Sequence, residues 1–208
     1  MKARNIIGTA LLALAFMLAA TPALAHAQIE IGYFNDFQKS LDKFLPGSSL
    51  DSCVTKDTLK LSFEKTAAKM GLPTKYNGYA ELTRDCGNPV WMMINLTGSG
   101  NDLLIQFDAK DVENCGACIP LVYAGTSAPK DLSQFKADYT GLDVKWQKHT
   151  VRVSLAPPTA AAAKGKQAGA VIAIAFTNLD DSQVRLQRMG IDNLSVMLDA
   201  GTAPPESN

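Results

Sequence analysis

Few residues in this 208-residue chain could do covalent or metal chemistry. There are two histidines, His26 and His149, and four cysteines, Cys53, Cys86, Cys115 and Cys118. His26 falls within what reads as a leader, described below, so His149 alone is left for imidazole chemistry. That disfavours mechanisms needing two imidazoles, including most zinc hydrolase sites. No Gly-x-Ser-x-Gly elbow accompanies it for a Ser-His-Asp triad. His149 shares parity with Val151, Val153 and Leu155, which reads as a packed or sheet-edge histidine before it reads as a general base. Cys115-Gly116-Ala117-Cys118 has the spacing of a thiol redox centre, but a stabilised thiolate needs a helix N-terminus. Ile119-Pro120-Leu121-Val122 follows instead, so the motif reads as a disulfide-closed turn. In an exported chain an even cysteine count reads as disulfides rather than a zinc knuckle. The expected pairs are Cys115–Cys118, a local clip, and Cys53–Cys86, a longer staple.

Carboxylates and rings offer softer chemistry. Asp192 shares parity with Leu194, Val196 and Leu198, which points it inward. An inward carboxylate must be compensated, by backbone N–H groups or by a Ca²⁺ with oxygen ligands. Glu81 and Asp108 would serve as an acid and a base if about 5–10 Å apart in one cleft. Tyr79 and Trp91 lie on the outward parity of their strands, near outward Glu81, Asn95 and Gln106. Flat rings beside amides and carboxylates suit sugars, whose C–H faces stack while their hydroxyls take hydrogen bonds. The expected ligand-binding set is therefore Tyr79, Trp91, Asn95 and Gln106. The opposing reading is that a loop or a short N-terminal helix covers Trp91, since tryptophan is seldom left exposed. Tyr76 and Trp146, in or beside loops, could join either arrangement.

The elements that must position these groups have a period of two. Leu59, Leu61 and Phe63 alternate with Lys60, Ser62 and Glu64, and Ala80 and Leu82 with Tyr79, Glu81 and Thr83. The same alternation runs through Val90 to Leu96, Leu103 to Asp108 and Val151 to Leu155. It marks strands with one face buried. Ile119 to Ala124, Val171 to Thr177 and Met189 to Leu198 complete the set, and Gly-, Asn- and Asp-rich turns separate the runs. About eight short strands in this spacing predict an all-β fold, a β-sandwich or jelly roll, with one or two short helical turns. Those turns are placed at Asn35 to Phe44, capped by Asn35 or Asp36, and at Leu132 to Asp138. Ala156 to Gly169 reads as a hairpin loop.

Composition sets the outer limits. Hydrophobic residues are 47% and charged residues 19%, enough apolar material for a core. Twenty basic residues balance 20 acidic ones, leaving no excess charge to meet a phosphate backbone, so nucleic acid is not an expected partner. Lys2 and Arg4, the uncharged run Ile6 to Ala20 and the small residues through Ala25-His26-Ala27 have the form of a secretory signal peptide cut after Ala27. The expected organisation is a signal peptide over 1–27, one sandwich domain over 28–198, and a disordered tail over 199–208. The protein is expected to be periplasmic or extracellular, without a transmembrane segment.

Four short motifs occur in a set order: Phe34-Asn35-Asp36-Phe37, Tyr76-Asn77-Gly78-Tyr79-Ala80-Glu81-Leu82, Trp146-Gln147-Lys148-His149 and Ile191-Asp192-Asn193-Leu194. In this order they resemble the galactose-binding-like jelly rolls, a superfamily that includes many carbohydrate-binding modules. The resemblance implies a jelly roll in which the final-strand aspartate helps hold a structural Ca²⁺ near the N-terminal strand, here Asp192 with Asp36. It also implies a secreted, non-enzymatic module for carbohydrate or another extracellular surface. Two other functions compete: a glycan-active hydrolase or lyase using paired carboxylates, and a structural envelope or matrix protein.

Overall fold

The computed structural model describes residues 32–65, 76–97, 102–155, 169–179 and 186–199. The leader, most of the hairpin loop after Leu155 and the tail beyond Asp199 lie outside them. Each run of alternating or apolar residues forms a strand: β3 (Leu59–Lys65), β4 (Tyr76–Arg84), β5 (Val90–Thr97), β6 (Asp102–Glu113), β7 (Cys118–Gly125), β9 (Gln147–Ser154), β10 (Gly169–Asn178) and β11 (Gln187–Leu198). Three shorter strands join them: β1 (Tyr33–Asn35), β2 (Leu45–Ser48) and β8 (Lys136–Ala137). They are too short to show alternation, and β2 carries Pro46-Gly47, which reads as a turn. Proline is tolerated there because β2 is an edge strand.

The strands form two antiparallel sheets. The first runs β3-β4-β11-β6-β9, with β1 pairing on β11, and the second runs β2-β5-β10-β7-β8. From β4 to β7 the chain changes sheet at every step, and again from β9 to β11, which makes the fold an all-β sandwich. The inner faces supply one core, with Leu82, Ile105, Phe107 and Ile191 of the first sheet meeting Met92, Ile94, Ile172 and Phe176 of the second. Among described residues there are two 3₁₀ turns, Asp51–Cys53 and Leu132–Gln134. The second falls where a turn was expected, capped by Asp131, whose side chain accepts from Ser133 N.

The turn of helix expected over Asn35 to Phe44 is absent. Asn35 Oδ1 accepts from Phe37 N at 2.7 Å and Asp36 Oδ1 from Gln38 N at 3.2 Å, as capping residues do. The backbone then turns left-handed at Phe37, φ 49°, so no helical turn propagates. The local cap signal is spent on a tight turn that drives Phe37 into the core, fully buried.

Both expected disulfides form. Cys53–Cys86 joins the 3₁₀ turn before β3 to the β4–β5 turn across 33 residues, and Cys115–Cys118 closes the β6–β7 turn. Cys115 and Cys118 are fully buried, so a redox partner has no access to them.

Candidate functional site

The outer face of the first sheet carries the site. Lys60, Ser62 and Glu64 project from β3, Tyr79 and Glu81 from β4, Lys110 from β6 and Arg188 from β11. Trp146 arrives from outside the sheet. Asp143 O accepts from Asp111 N at 2.7 Å, and the Asp143 side chain accepts from Lys145 N at 3.2 Å, which fixes the chain just before β9. The indole then lies over β11, where a Cβ on Gly190 would meet Trp146 at 3.1 Å and Tyr79 and Val112 at 3.2 Å. Glycine lets both rings settle onto the sheet there without the crowding a Cβ would bring. Tyr79 and Trp146 meet edge to face, centroids 5.5 Å apart.

Charges bracket the two rings. The Lys110 ammonium sits 4.7 Å from the Trp146 centroid and 5.1 Å from that of Tyr79, a cation–π contact to both. Lys110 also pairs with Glu64 Oε2. Glu64 Oε1 accepts from Trp146 Nε1 at 2.5 Å, so a residue of edge strand β3 ties down an indole from the far side of the sheet. Burial alone would raise the Glu64 carboxyl. Hydrogen bonds from Lys110 and Trp146, with the Lys110 charge, outweigh burial and hold it below the usual carboxylate range. Glu81 is buried; its Oε2 accepts from Ser62 at 3.0 Å and from Tyr79 OH at 3.4 Å. Its Oε1 faces the Lys60 ammonium at 3.0 Å and Arg188 Nε at 3.6 Å, and Arg188 also pairs with Glu113 at 3.1 Å. Burial pushes the Tyr79 phenol up, and the neighbouring Glu81 charge adds to it, so the hydroxyl stays a donor. The result is a half-buried indole held against a buried Tyr79 and ringed by donors and acceptors whose charges are already matched.

The four expected ligand residues do not converge. Tyr79 lies in this cluster, and Gln106 lies on the same sheet, donating to Thr150 Oγ1 at 3.3 Å. Trp91 and Asn95 belong to β5 in the other sheet, so parity alone put residues of opposite faces together. Asn95 is exposed, but Trp91 is only 2% exposed. The segment around the second 3₁₀ turn covers it: Phe135 packs on Trp91 at 5.8 Å and on Tyr123 at 5.5 Å, forming a second small core with Leu121 and Val171. Gly47 of β2 admits the indole from the side, since a Cβ there would lie 2.2 Å from Nε1. The cover is thus a loop and an edge strand, and among the described residues no N-terminal helix takes part.

Asp192 also departs from its expected side. Asn193 adopts φ 49°, and the β11–β6 register shifts between Asp192 and Ser195. This bulge breaks the alternation. Asp192 pairs with Asp108, whose neighbours Phe107 and Ala109 face the core, so Asp192 lies on the outer face. Neighbours still bury it. Burial raises its carboxyl above the usual range; donors from Asn77 and Asn193 work against this, and the charges of Asp108 and Asp36 add to it. Oδ2 accepts from Asn77 Nδ2 at 2.9 Å and Oδ1 from Asn193 N at 2.7 Å. Asp36 keeps a local turn bond. Both Asp192 oxygens already face N–H donors, and the described residues hold no group of three or more His, Cys, Asp or Glu able to take a metal.

Glu81 and Asp108 share the outer face with β11 between them. Neither is unengaged: Glu81 is bound as above, and Asp108 Oδ2 accepts from Asn193 Nδ2 at 2.8 Å. His149 is fully buried, stacked on Phe107 at 5.4 Å with Nδ1 3.0 Å from Asp138, a packed residue that ties β9 to the chain leaving β8. Glu64, Lys110, Arg188 and Gly190 were not anticipated. Their outward parity was visible, but their convergence depends on the strand order.

No family model matches the sequence, and no curated protein matches it. Solved structures do overlay on it. One is a carbohydrate-binding module in complex with β-1,4-galactotriose, with TM-score 0.45, 6% identity, and coverage of 79% of this chain and 99% of that one. Another is a family 11 carbohydrate-binding module from Clostridium thermocellum, with TM-score 0.43, 15% identity and coverage of 82% and 96%. A third is the K1 cleaved adhesin domain of Lys-gingipain from Porphyromonas gingivalis, with TM-score 0.46, 11% identity and coverage of 81% and 98%. The ligand has to be argued from the site.

Proposed function

We propose that this is an exported glycan-binding module whose ligand lies on the outer face of the first sheet, across Trp146. The observation that supports it best is the Tyr79–Trp146 pair seated on Gly190 and held by Glu64 and Lys110. Rings fixed before the ligand arrives lose little conformational freedom on binding. Matched charges around them offer hydrogen bonds to hydroxyls without leaving an unpaired ion under the ligand. Glu64 and Glu81 are occupied by partners and Glu64 is held ionised, which suits binding rather than proton transfer to a glycosidic oxygen. The leader-like start and both disulfides support an oxidising, exported setting.

Affinity electrophoresis against a panel of soluble polysaccharides tests this. At least one neutral polysaccharide should retard the chain. Trp146→Ala should weaken that interaction about 30-fold or more, as expected of a buried aromatic anchor. Retardation unchanged by Trp146→Ala would move the site elsewhere, and no retardation by any polysaccharide would remove the reading.

A further inference from the structure

A second groove lies away from Trp146, where the edges of the two sheets approach each other. It has a volume of about 380 Å³ and lies between the chain leaving β8 and the residues of β9, lined by Lys136, Asp138, Tyr139, Thr150 and Arg152 among others. Tyr139 is 81% exposed, the most exposed large hydrophobic side chain among the described residues. Its ring is a bare apolar surface beside a polar cavity.

Which polar groups remain uncommitted decides what the groove would accept. Asp138 is spent: Oδ2 meets His149 Nδ1 and Oδ1 accepts from Thr140 N, each at 3.0 Å. Thr150 Oγ1 already accepts from Gln106. Lys136 gives one N–H to the Arg152 carbonyl at 2.8 Å, which holds the ammonium at the groove with two N–H groups left over. Arg152 Nε donates to Asp199 Oδ2 at 2.7 Å, but its side chain is 68% exposed. Asp199 is only 20% exposed and keeps its bond to Nε, so what Arg152 offers the groove is the N–H groups of its two terminal nitrogens. The remaining capacity is cationic and donates, beside an open ring.

We propose that this groove binds a sugar acid, with the face of its ring on Tyr139 and its carboxylate on Arg152 and Lys136. Guanidinium matches a carboxylate in a two-bond fork, and an ammonium adds a point charge at its side. A neutral sugar of the same shape would offer these cations hydroxyl acceptors but no opposite charge. The inference stands on the groove alone and does not depend on the Trp146 face.

Isothermal titration of the full chain with an oligogalacturonate and with the matching neutral oligogalactoside tests it. The oligogalacturonate should bind the wild type and Trp146→Ala equally well, and more weakly as salt rises. Arg152→Gln and Tyr139→Ala, both at exposed positions, should each weaken it about tenfold or more. Absence of uronate binding would overturn the proposal. So would binding unaffected by Arg152→Gln, equal binding of the neutral oligomer in the same groove, or loss of uronate binding in Trp146→Ala.

Discussion

Gly190→Ala probes the packing on which the binding face depends. The added Cβ would sit 3.1–3.2 Å from carbons of Trp146, Tyr79 and Val112. Carbon atoms prefer about 3.5–4.0 Å, so each of three neighbours must give by a few tenths of an ångström. Overpacking of this kind costs about 1–3 kcal/mol. Removing glycine freedom from the unfolded chain returns about 0.4–1 kcal/mol. The net expectation is a loss of up to about 2.6 kcal/mol, or up to roughly 10 °C in Tm for a domain of this size. The neighbour best able to move is the indole tip, which enters from a loop, whereas Tyr79 and Val112 stand on paired strands. Moving it separates Trp146 from Tyr79 and from the Lys110 ammonium. Calorimetry reads the Tm, and the ring-current shift of the Lys110 ε-methylene reads the cage. A Gly190→Ala protein as stable as wild type, with the Lys110 shift intact, would show that the rings do not rest on Gly190.

Three further outcomes follow from the same geometry. Glu64 has its folded pKa depressed, so its contribution to stability is fully present above its unfolded value near 4.5 and is lost as pH falls through the folded value. Glu64→Gln should therefore flatten the acid limb of a Tm-versus-pH curve below about pH 4.5, and an unchanged limb would contradict the Lys110–Glu64–Trp146 linkage. Opening Cys53–Cys86 as the double alanine variant should cost about 3–4 kcal/mol from loop closure over 33 residues; a larger loss in denaturant unfolding from opening Cys115–Cys118 would reverse that ranking. Trp91→Ala should destabilise by about 3–5 kcal/mol, as for other buried aromatics, while glycan affinity, measured on the fraction that remains folded, should not change.

Alternation marked β3 to β6 and β9, and short apolar runs marked β7, β10 and β11, even though β4, β7 and β10 prove to be buried on both faces. What it could not supply was pairing. Tyr79 and Trp91 look alike in their strands, yet β4 and β5 belong to different sheets, so one ring meets Trp146 and the other lies under Phe135. Parity also fails wherever a bulge adds a residue. Asn193 adds one, and Asp192 changes face. Asparagine at φ 49° is a tolerable substitute for glycine, so nothing local announces the bulge. Trp146 stood out only as a tryptophan beside a loop, because its partners Glu64, Lys110 and Gly190 come from three different strands. The disulfides were legible from counting and spacing, since the distant pair joins two turns and the close pair fits one.

Shift mapping by NMR with a polysaccharide that retards the chain tests the central claim most directly, because the two indole N–H signals report on opposite sheets. The account predicts that ligand moves the Trp146 indole N–H and the amides of Tyr79 and Gly190, while the Trp91 indole N–H stays in place. Movement of Trp91 and Asn95 with Trp146 unchanged would put the ligand on the second sheet and contradict it.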